Sequence, residues 1–187
     1  IVVSHQKGRS ITEPLFLQSA KCEAAVVEGK CRYTATLLWD LSNYYEHIRR
    51  PELIARCRAL GFPGRLLQVI MATYQCMRLL TLHGFTIEVG YPRRGIPAGC
   101  GYATYLVQGY TIPSLTSWQS RHASVEGNMF IDDLTASTIA ASIRLVVHQL
   151  VRAAADLAMI IREEWFCQLA LDKAQVVASD EATHKAL

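Results

Sequence analysis

Two apolar segments of this chain run directly into aspartates, and this pattern constrains the fold more than any other sequence feature. Residues 33–39 (YTATLLW) are rich in β-forming side chains and end at Asp40, and residues 125–131 end at the pair Asp132 and Asp133. A further β-forming segment follows the pair, which predicts a strand-turn-strand hairpin with both acids at its tip. The sequence therefore predicts a sheet whose buried strands deliver carboxylates at their ends.

Helical periodicity occupies much of the remaining chain. The first predicted helix covers residues 11–28 and is capped by Ser10 or Thr12. Two more run from Pro51 to about Leu60 and from Pro63 to Tyr74. The last two cover the segment from Tyr102 to Trp118, with an end near Pro113, and residues 142–165. The last of these carries the clearest apolar stripe, formed by Ile143, Val147, Leu150, Val151, Ala154, Leu157, Ala158 and Ile161. His83-Gly84 predicts a two-residue hairpin turn, and residues 169–179 a final turn and strand that carries Lys173. Without repeats or linkers, one α+β domain is the economical interpretation.

Composition narrows the class of protein. With 187 residues and 51% hydrophobic content, the chain is long enough for one well-packed core, and its net charge of +3 permits a nucleic-acid partner without identifying one. Its six cysteines show no zinc-type spacing, which favours a reduced intracellular compartment, cytoplasm or nucleus. The most apolar stretch, residues 143–161, is interrupted by charged side chains, so no membrane span is predicted.

The start at Ile1 without methionine indicates a fragment of a longer protein.

Aspartates on rigid strand ends suit one chemistry in particular. Two-metal phosphoryl transfer needs carboxylates that bridge cations about 3.5–4 Å apart, and Mg²⁺ prefers such oxygen ligands. Each acid alone has a simpler explanation, because Asp40 can cap the following turn and paired aspartates are common at hairpin tips. The order of the motifs along the chain favours the functional explanation over these simpler ones.

Four segments, in order, resemble the motifs of reverse transcriptases. LLWDLSNYYEHI resembles motif A, RRGIPAGCGYAT motif B, NMFIDDL motif C and LALDKAQVVAS motif D. Residues 51–84 resemble the two helices and hairpin that join motifs A and B in non-LTR retrotransposon and group II intron-like enzymes. The resemblance extends from about Lys7 to about Ser179 and implies a polymerase palm: an antiparallel sheet backed by helices, with residues 1–30 as a residual fingers or palm helix, residues 31–179 as motifs A to D, and no thumb.

The resemblance also implies roles for individual residues. Asp40, Asp132 and Asp133, with the backbone carbonyl of Leu41, would hold magnesium, or manganese in its place. Lys173 matches the motif D lysine that protonates the departing pyrophosphate, and Tyr45 occupies the position of the steric gate that excludes a 2′-hydroxyl. Substrate and nucleic-acid contacts are implied for the motif B segment, namely Gly95, Pro97 and Gly99 at the nucleotide and Arg93 and Arg94 at phosphates. A core aromatic for Tyr45, an exposed lysine for Lys173 and a solvated basic pair for Arg93-Arg94 are the structural alternatives.

Two positions depart from the family pattern. Motif B normally carries glutamine before its second glycine, where this chain has Ala98, and motif A has a second aspartate where this chain has Glu46. The expected partners are an RNA template, a DNA primer and a dNTP, together with the fingers and thumb of the parent protein. Without those segments the fragment is expected to be weakly active or inactive.

Two other functions remain open from the sequence. The first is a catalytically decayed palm that binds nucleic acid or protein, which Ala98 favours. The second is another palm-like nucleotidyltransferase such as a nucleotide cyclase, because that scaffold also presents carboxylates at strand ends. The absence of a GGDEF-like hairpin makes the cyclase the least favoured of the three.

Overall fold

The computed structural model describes residues 2–3, 12–27 and 32–187, and it has the predicted α+β architecture. The strands are β1 (Val2–Val3), β2 (Tyr33–Ser42), β3 (Arg78–Leu82), β4 (Phe85–Gly90), β5 (Val125–Phe130), β6 (Asp133–Ala140), β7 (Gln168–Leu169) and β8 (Gln175–Ala178). The helices are α1 (Thr12–Val27), α2 (Tyr44–His47), α3 (Arg50–Ala59), α4 (Gly64–Tyr74), α5 (Ala103–Arg121), α6 (Ile143–Met159) and α7 (Glu181–Ala186). The predicted helix start at Ile11 and its Ser10 cap lie outside the described residues.

Strand β2 lies inside the main sheet, whose order is β1-β5-β6-β2-β7, with β8 also pairing with β2. The β2–β6 ladder is antiparallel and runs from Tyr33 opposite Ala140 to Asp40 opposite Asp133. β7 and β8 pair antiparallel with the other edge of β2, and β1 adds a short parallel pairing to β5. Because β2 has neighbours on both sides, its register is fixed from two directions.

The core lies between the sheet and the long helices. Helix α5 buries Leu106, Tyr110 and Trp118 completely, and the indole Nε1 of Trp118 donates a 2.9 Å hydrogen bond to the carbonyl of Ala153 on α6. Helix α6 packs against β6 and β2. Helix α1 lies over the other face, where the side-chain amide of Gln18 donates a 3.4 Å hydrogen bond to the hydroxyl of Thr36 on β2 and Lys21 pairs with Glu126 on β5.

The structure corrects two predicted boundaries. Strand β2 continues past Asp40 to Ser42, so this acid lies within a strand and not at its end. Helix α5 continues through Pro113 to Arg121, although proline removes a helical hydrogen bond and crowds the preceding turn. The buried residues on both sides of Pro113 keep the helix packed against the core, and this burial outweighs the local cost of about 3 kcal/mol.

The buried face of α6 is rotated from the predicted stripe. Its buried side chains are Val146, Leu150, Ala153 and Leu157, whereas Val151 is exposed. The predicted stripe merged two adjacent faces of the helix, and only the face over the sheet is covered. A five-residue π-helical turn, Ile160–Glu164, continues the helix and buries Ile161 as expected.

The β3–β4 hairpin is confirmed, with His83 and Gly84 both at positive φ (48° and 83°), as a two-residue turn of this kind requires. Its cross-strand register places one group of apolar side chains on a single face, and all of them are exposed: Leu80, Leu82, Phe85, Ile87 and Val89.

Within the described residues, no helix combines the length and the apolar character that a membrane crossing needs.

Candidate active site

The strand register brings the acids from two distant parts of the chain to one place. Asp40 and Asp133 are direct partners in the antiparallel β2–β6 ladder, so their side chains project from the same face. The amide of Leu41 donates a 3.2 Å hydrogen bond to the carbonyl of Asp132, which ties the β5–β6 turn to β2. The backbone pairing therefore brings Asp40, Asp132 and Asp133 next to one another.

The turn that presents Asp132 consists of Ile131 and Asp132, because β5 ends at Phe130 and β6 begins at Asp133. Ile131 has φ of +57°, a left-handed conformation that β-branched side chains strongly disfavour. The predicted pair of tip residues is thus divided: Asp132 lies in the turn, and Asp133 is the first residue of a strand.

Lys173 lies at the same site. Its ammonium Nζ is 2.5 Å from Oδ2 of Asp40, across 133 positions of sequence. The backbone supports this contact, because Ala170 donates to the carbonyl of Asp40 (2.9 Å) and the amide of Lys173 donates to Ala170 (3.0 Å). The turn between β7 and β8 is therefore fastened to β2 where Asp40 lies.

The electrostatics of the site show that these groups interact. Partial desolvation and the charges of Asp132 and Asp40 raise the pKa of Asp133, while Lys173 acts in the opposite direction. The hydrogen bond and charge of Asp40 raise the pKa of Lys173, with smaller contributions from Asp172 and Asp132. A concentration of negative charge on one face of the sheet is thus only partly offset by one ammonium group.

The carboxylates of Asp40, Asp132 and Asp133 are ligands of the type that hard divalent cations prefer, and they are carried by adjacent strands and the turn between them. Clustered carboxylates repel each other, and a bound cation relieves that repulsion. Among the described residues, however, no three carboxylate, imidazole or thiolate groups converge as a ligand set, and one oxygen of Asp40 is engaged by Lys173. An ion bound through Oδ2 of Asp40 would therefore have to displace Lys173.

Tyr45 lies beside the acids on the short helix α2. Partial burial and the charge of Asp132 raise the pKa of its phenol, which places the side chain within electrostatic range of that carboxylate. Its neighbour Tyr44 is the fully buried aromatic, at 2% exposure, with ring centroids 5.9 Å apart. Tyr44 is thus part of the core, whereas Tyr45 is half-buried and packs against the edge of that core.

The glycine-containing loop between β4 and α5 packs against the segment that carries Tyr45. Gly95 has φ of +79°, and a Cβ there would lie 2.9 Å from the Cα of Glu46. Its amide donates to Ile48 (2.8 Å), and the amide of Ile96 donates to the carbonyl of Tyr45 (3.0 Å). Only glycine allows this approach of the two backbones.

The remaining residues predicted in this loop lie on its outer side. Arg93 and Arg94 are exposed, and neither side chain makes an ion pair with the described part of the chain. Gly99 has φ of +81° with open space around it, Pro97 is half-buried and Ala98 is exposed. The loop therefore offers backbone and cationic groups at its surface, and no polar side chain at position 98.

Sequence reasoning missed Arg50, a buried arginine at the start of α3. Its guanidinium donates to three backbone carbonyls of the loop, at Gly95 (2.8 Å), Pro92 (2.9 Å) and Arg94 (3.2 Å). The only sequence signal was an arginine before a helix-starting proline, which equally describes an exposed residue.

Comparisons with known proteins identify the fold. No protein-family model matches the chain, and no curated protein matches its sequence. Among solved structures, telomerase from Candida tropicalis in complex with a TWJ fragment of telomeric RNA matches with a TM-score of 0.69 at 8% identity, over 92% of this chain and 30% of that one. The apo enzyme truncated from its C-terminal domain gives 0.65 at 8% identity, over 92% and 36%. Telomerase from Candida albicans with the same type of RNA fragment gives 0.59 at 12% identity, over 90% and 30%.

The chain thus shares its fold with part of these telomerases. It spans about a third of the length of these telomerases. At 8–12% identity the likeness establishes the fold alone.

Proposed function

We propose that this chain is the palm of an RNA-directed DNA polymerase, which transfers a nucleotide from a dNTP to a primer 3′-hydroxyl on an RNA template. The observation that carries the proposal is the pairing of Asp40 with Asp133, with Asp132 in the adjoining turn and Lys173 on Asp40. The ordered sequence motifs favour a non-LTR retrotransposon or group II intron-like parent. RNA bound to the structurally similar telomerases supports the RNA partner.

Asp40, Asp132 and Asp133, with the carbonyl of Leu41, would hold magnesium, or manganese in its place. The bound ions would supply activation of the primer hydroxyl and neutralisation of charge on the phosphates. The protein contributes a rigid support, because Asp40 and Asp133 belong to the same hydrogen-bonded ladder. Such preorganisation is what electrostatic catalysis requires of its carboxylates.

Lys173 would act on the departing pyrophosphate. Its pKa is raised by Asp40, so the ammonium form is maintained at neutral pH. Its side chain is 64% exposed, which leaves it able to move from Asp40 towards an arriving triphosphate. Its exposed ammonium group would supply the proton that the departing pyrophosphate takes up.

Tyr45 and the loop that packs on its backbone would form the nucleotide pocket. A half-buried ring near Asp132 excludes a 2′-hydroxyl by volume, which selects dNTP over rNTP. Arg93 and Arg94 would contact nucleic-acid phosphates from the exposed side of the loop.

The experiment is magnesium-dependent dNTP incorporation on a primed RNA, with the chain joined to the fingers and thumb of its parent. Asp132→Ala together with Asp133→Ala is expected to abolish incorporation, whereas Glu163→Gln, at an exposed acid on the π-helical turn, should leave it intact. Unchanged incorporation by the double variant would remove the proposed site.

A palm that binds RNA without catalysis is the second candidate. It is favoured by the absence of a polar side chain at Ala98 and by acids that do not converge as a ligand set among the described residues. In that case the parent protein binds primed RNA but incorporates no dNTP, and the Asp132→Ala/Asp133→Ala variant binds equally well. Magnesium-dependent binding of dNTP, measured by calorimetry, would contradict this candidate.

A further inference from the structure

Arg50 is an unusual arginine because it is buried without a carboxylate partner in the described part of the chain. Its side chain is 6% exposed, and the acceptors of its guanidinium are the loop carbonyls of Pro92, Arg94 and Gly95. No ion pair joins Arg50 to an acid among the described residues. Burial and the charge of Arg78 lower its pKa, and the three loop carbonyls are the acceptors that stabilise the buried guanidinium. Loss of these hydrogen bonds would be costly, because a buried charge needs hydrogen-bond partners.

The hydrogen bonds of Arg50 hold the loop 92–96 against the segment 45–50. Three guanidinium hydrogen bonds and two backbone hydrogen bonds join residues 92–96 to residues 45–50, and the backbone at Gly95 lies against Glu46. The planar guanidinium can reach three carbonyls at once because its five N–H donors lie in a fixed fork. A lysine ammonium at the same place could not span them.

The segment held in this way carries Tyr45. Its carbonyl accepts from the amide of Ile96, so the loop is bonded directly to the residue whose ring lies near Asp132. Movement of the loop would change the position of this backbone, and with it the ring.

We infer that Arg50 is a positioning residue for sugar selection: by clamping the loop 92–96 onto the backbone of Tyr45, it fixes the aromatic ring that distinguishes deoxyribonucleoside from ribonucleoside triphosphates. This inference rests on the proposed polymerase function. Arg50 itself touches no substrate and acts through the loop and Tyr45.

Loop release can be measured without activity. Trypsin cleaves after Arg93 and Arg94, so the clamped loop should resist and a released loop should be cut there. Arg50→Lys is expected to raise the initial cleavage rate at this loop at least ten-fold, with the fragments identified by mass spectrometry. Arg58→Lys, at an exposed arginine on the same helix, is the matched control and should leave the rate unchanged. Equal rates in Arg50→Lys and the parent protein would overturn the clamp.

Sugar selection is measured in the parent polymerase as the ratio of kcat/KM for a dNTP to that for the matching rNTP. Arg50→Lys should lower this ratio at least five-fold, and Arg58→Lys should not. Tyr45→Val should lower it further, and adding Arg50→Lys to Tyr45→Val should bring no additional loss, because the clamp acts through the missing ring. An equal loss of kcat/KM for both sugars, or full additivity, would overturn the positioning role.

A second variant tests the same contact independently, so that the proposal can be judged even if Arg50→Lys misfolds. Gly95→Ala disturbs the same contact from the loop side, since its methyl would meet the backbone of Glu46. It should reproduce both the cleavage and the sugar phenotype. If the parent protein incorporates no nucleotide at all, the proposed function fails and the sugar role with it, while the trypsin result still decides whether the clamp exists.

Discussion

Asp40 on β2 lies directly opposite Asp133 on β6, two like charges at one rung of an antiparallel ladder. Directly opposed Cβ atoms are about 4.5–5.5 Å apart, and like charges in this position destabilise a sheet by roughly 0.2–1 kcal/mol. A sheet optimised for stability alone would place a cation or a neutral side chain at one of the two positions. The pairing is therefore a cost to the fold, which the proposed metal site would account for.

The first prediction concerns this pair. Asp133→Asn is expected to raise the free energy of unfolding by roughly 0.2–1 kcal/mol, because it removes one of the opposed charges, and to abolish dNTP incorporation. The measurement is urea unfolding at pH 7. Asp172→Asn, at an exposed acid outside the ladder, should change stability far less.

The pH dependence has a definite sign. The folded-state pKa of Asp133 is raised, so between its unfolded and folded values the native state binds more protons than the unfolded state. Stability attributable to Asp133 therefore falls as pH rises through this window above its ordinary value of 3.8. Asp133→Asn should remove that decrease, and identical pH profiles for the two proteins would show that the ionisation of Asp133 is not its source.

A second prediction concerns Lys173. Lys173→Met is expected to lower the rate of incorporation by about 10²-fold or more, in the range of lost general-acid catalysis. The parent enzyme should lose rate at high pH as the ammonium group of Lys173 loses its proton, and the variant should lack this decline. Lys185→Met, at an exposed lysine paired with Glu181, provides the control.

Packing behind the site gives a third prediction. Gly127 on β5 faces the indole of Trp118, and a Cβ at Gly127 would overlap that ring. Gly127→Ala should destabilise the protein by roughly 1–3 kcal/mol, as overpacking does. Gly64→Ala, where a methyl meets no atom within 4 Å, should be neutral or slightly stabilising in the same urea titration.

The turn at the acids gives a fourth prediction. Ile131 holds φ of +57°, which costs an L-residue roughly 1–2 kcal/mol. Ile131→Gly should recover part of that strain and raise the midpoint of thermal unfolding. A lower midpoint would show that contacts of the isoleucine side chain outweigh its backbone strain.

The sequence was informative where a local signal and the tertiary structure agreed. The acids, the His83-Gly84 turn and the helix after Pro51 were predicted because turn chemistry and apolar periodicity are local properties. Whether these acids bind metal stays a prediction.

Other features depend on contacts that a single sequence does not reveal. Helix α5 continues through Pro113 because residues on both sides of it are buried by distant elements. The hydrogen bonds of Arg50 join residues more than 40 positions apart, and nothing around Arg50 in the sequence distinguishes it from an exposed arginine.

The placement of Asp40 within β2, paired on both sides, limits how this domain can change by insertion and deletion. Side chains alternate between the two faces of a strand, so one residue gained or lost between Tyr33 and Asp40 would turn the carboxylate towards the face covered by α6. The β3–β4 turn, which lies outside the main sheet, carries no such restriction. Related sequences can therefore differ in the length of the β3–β4 hairpin, whereas the number of residues in β2 must stay the same.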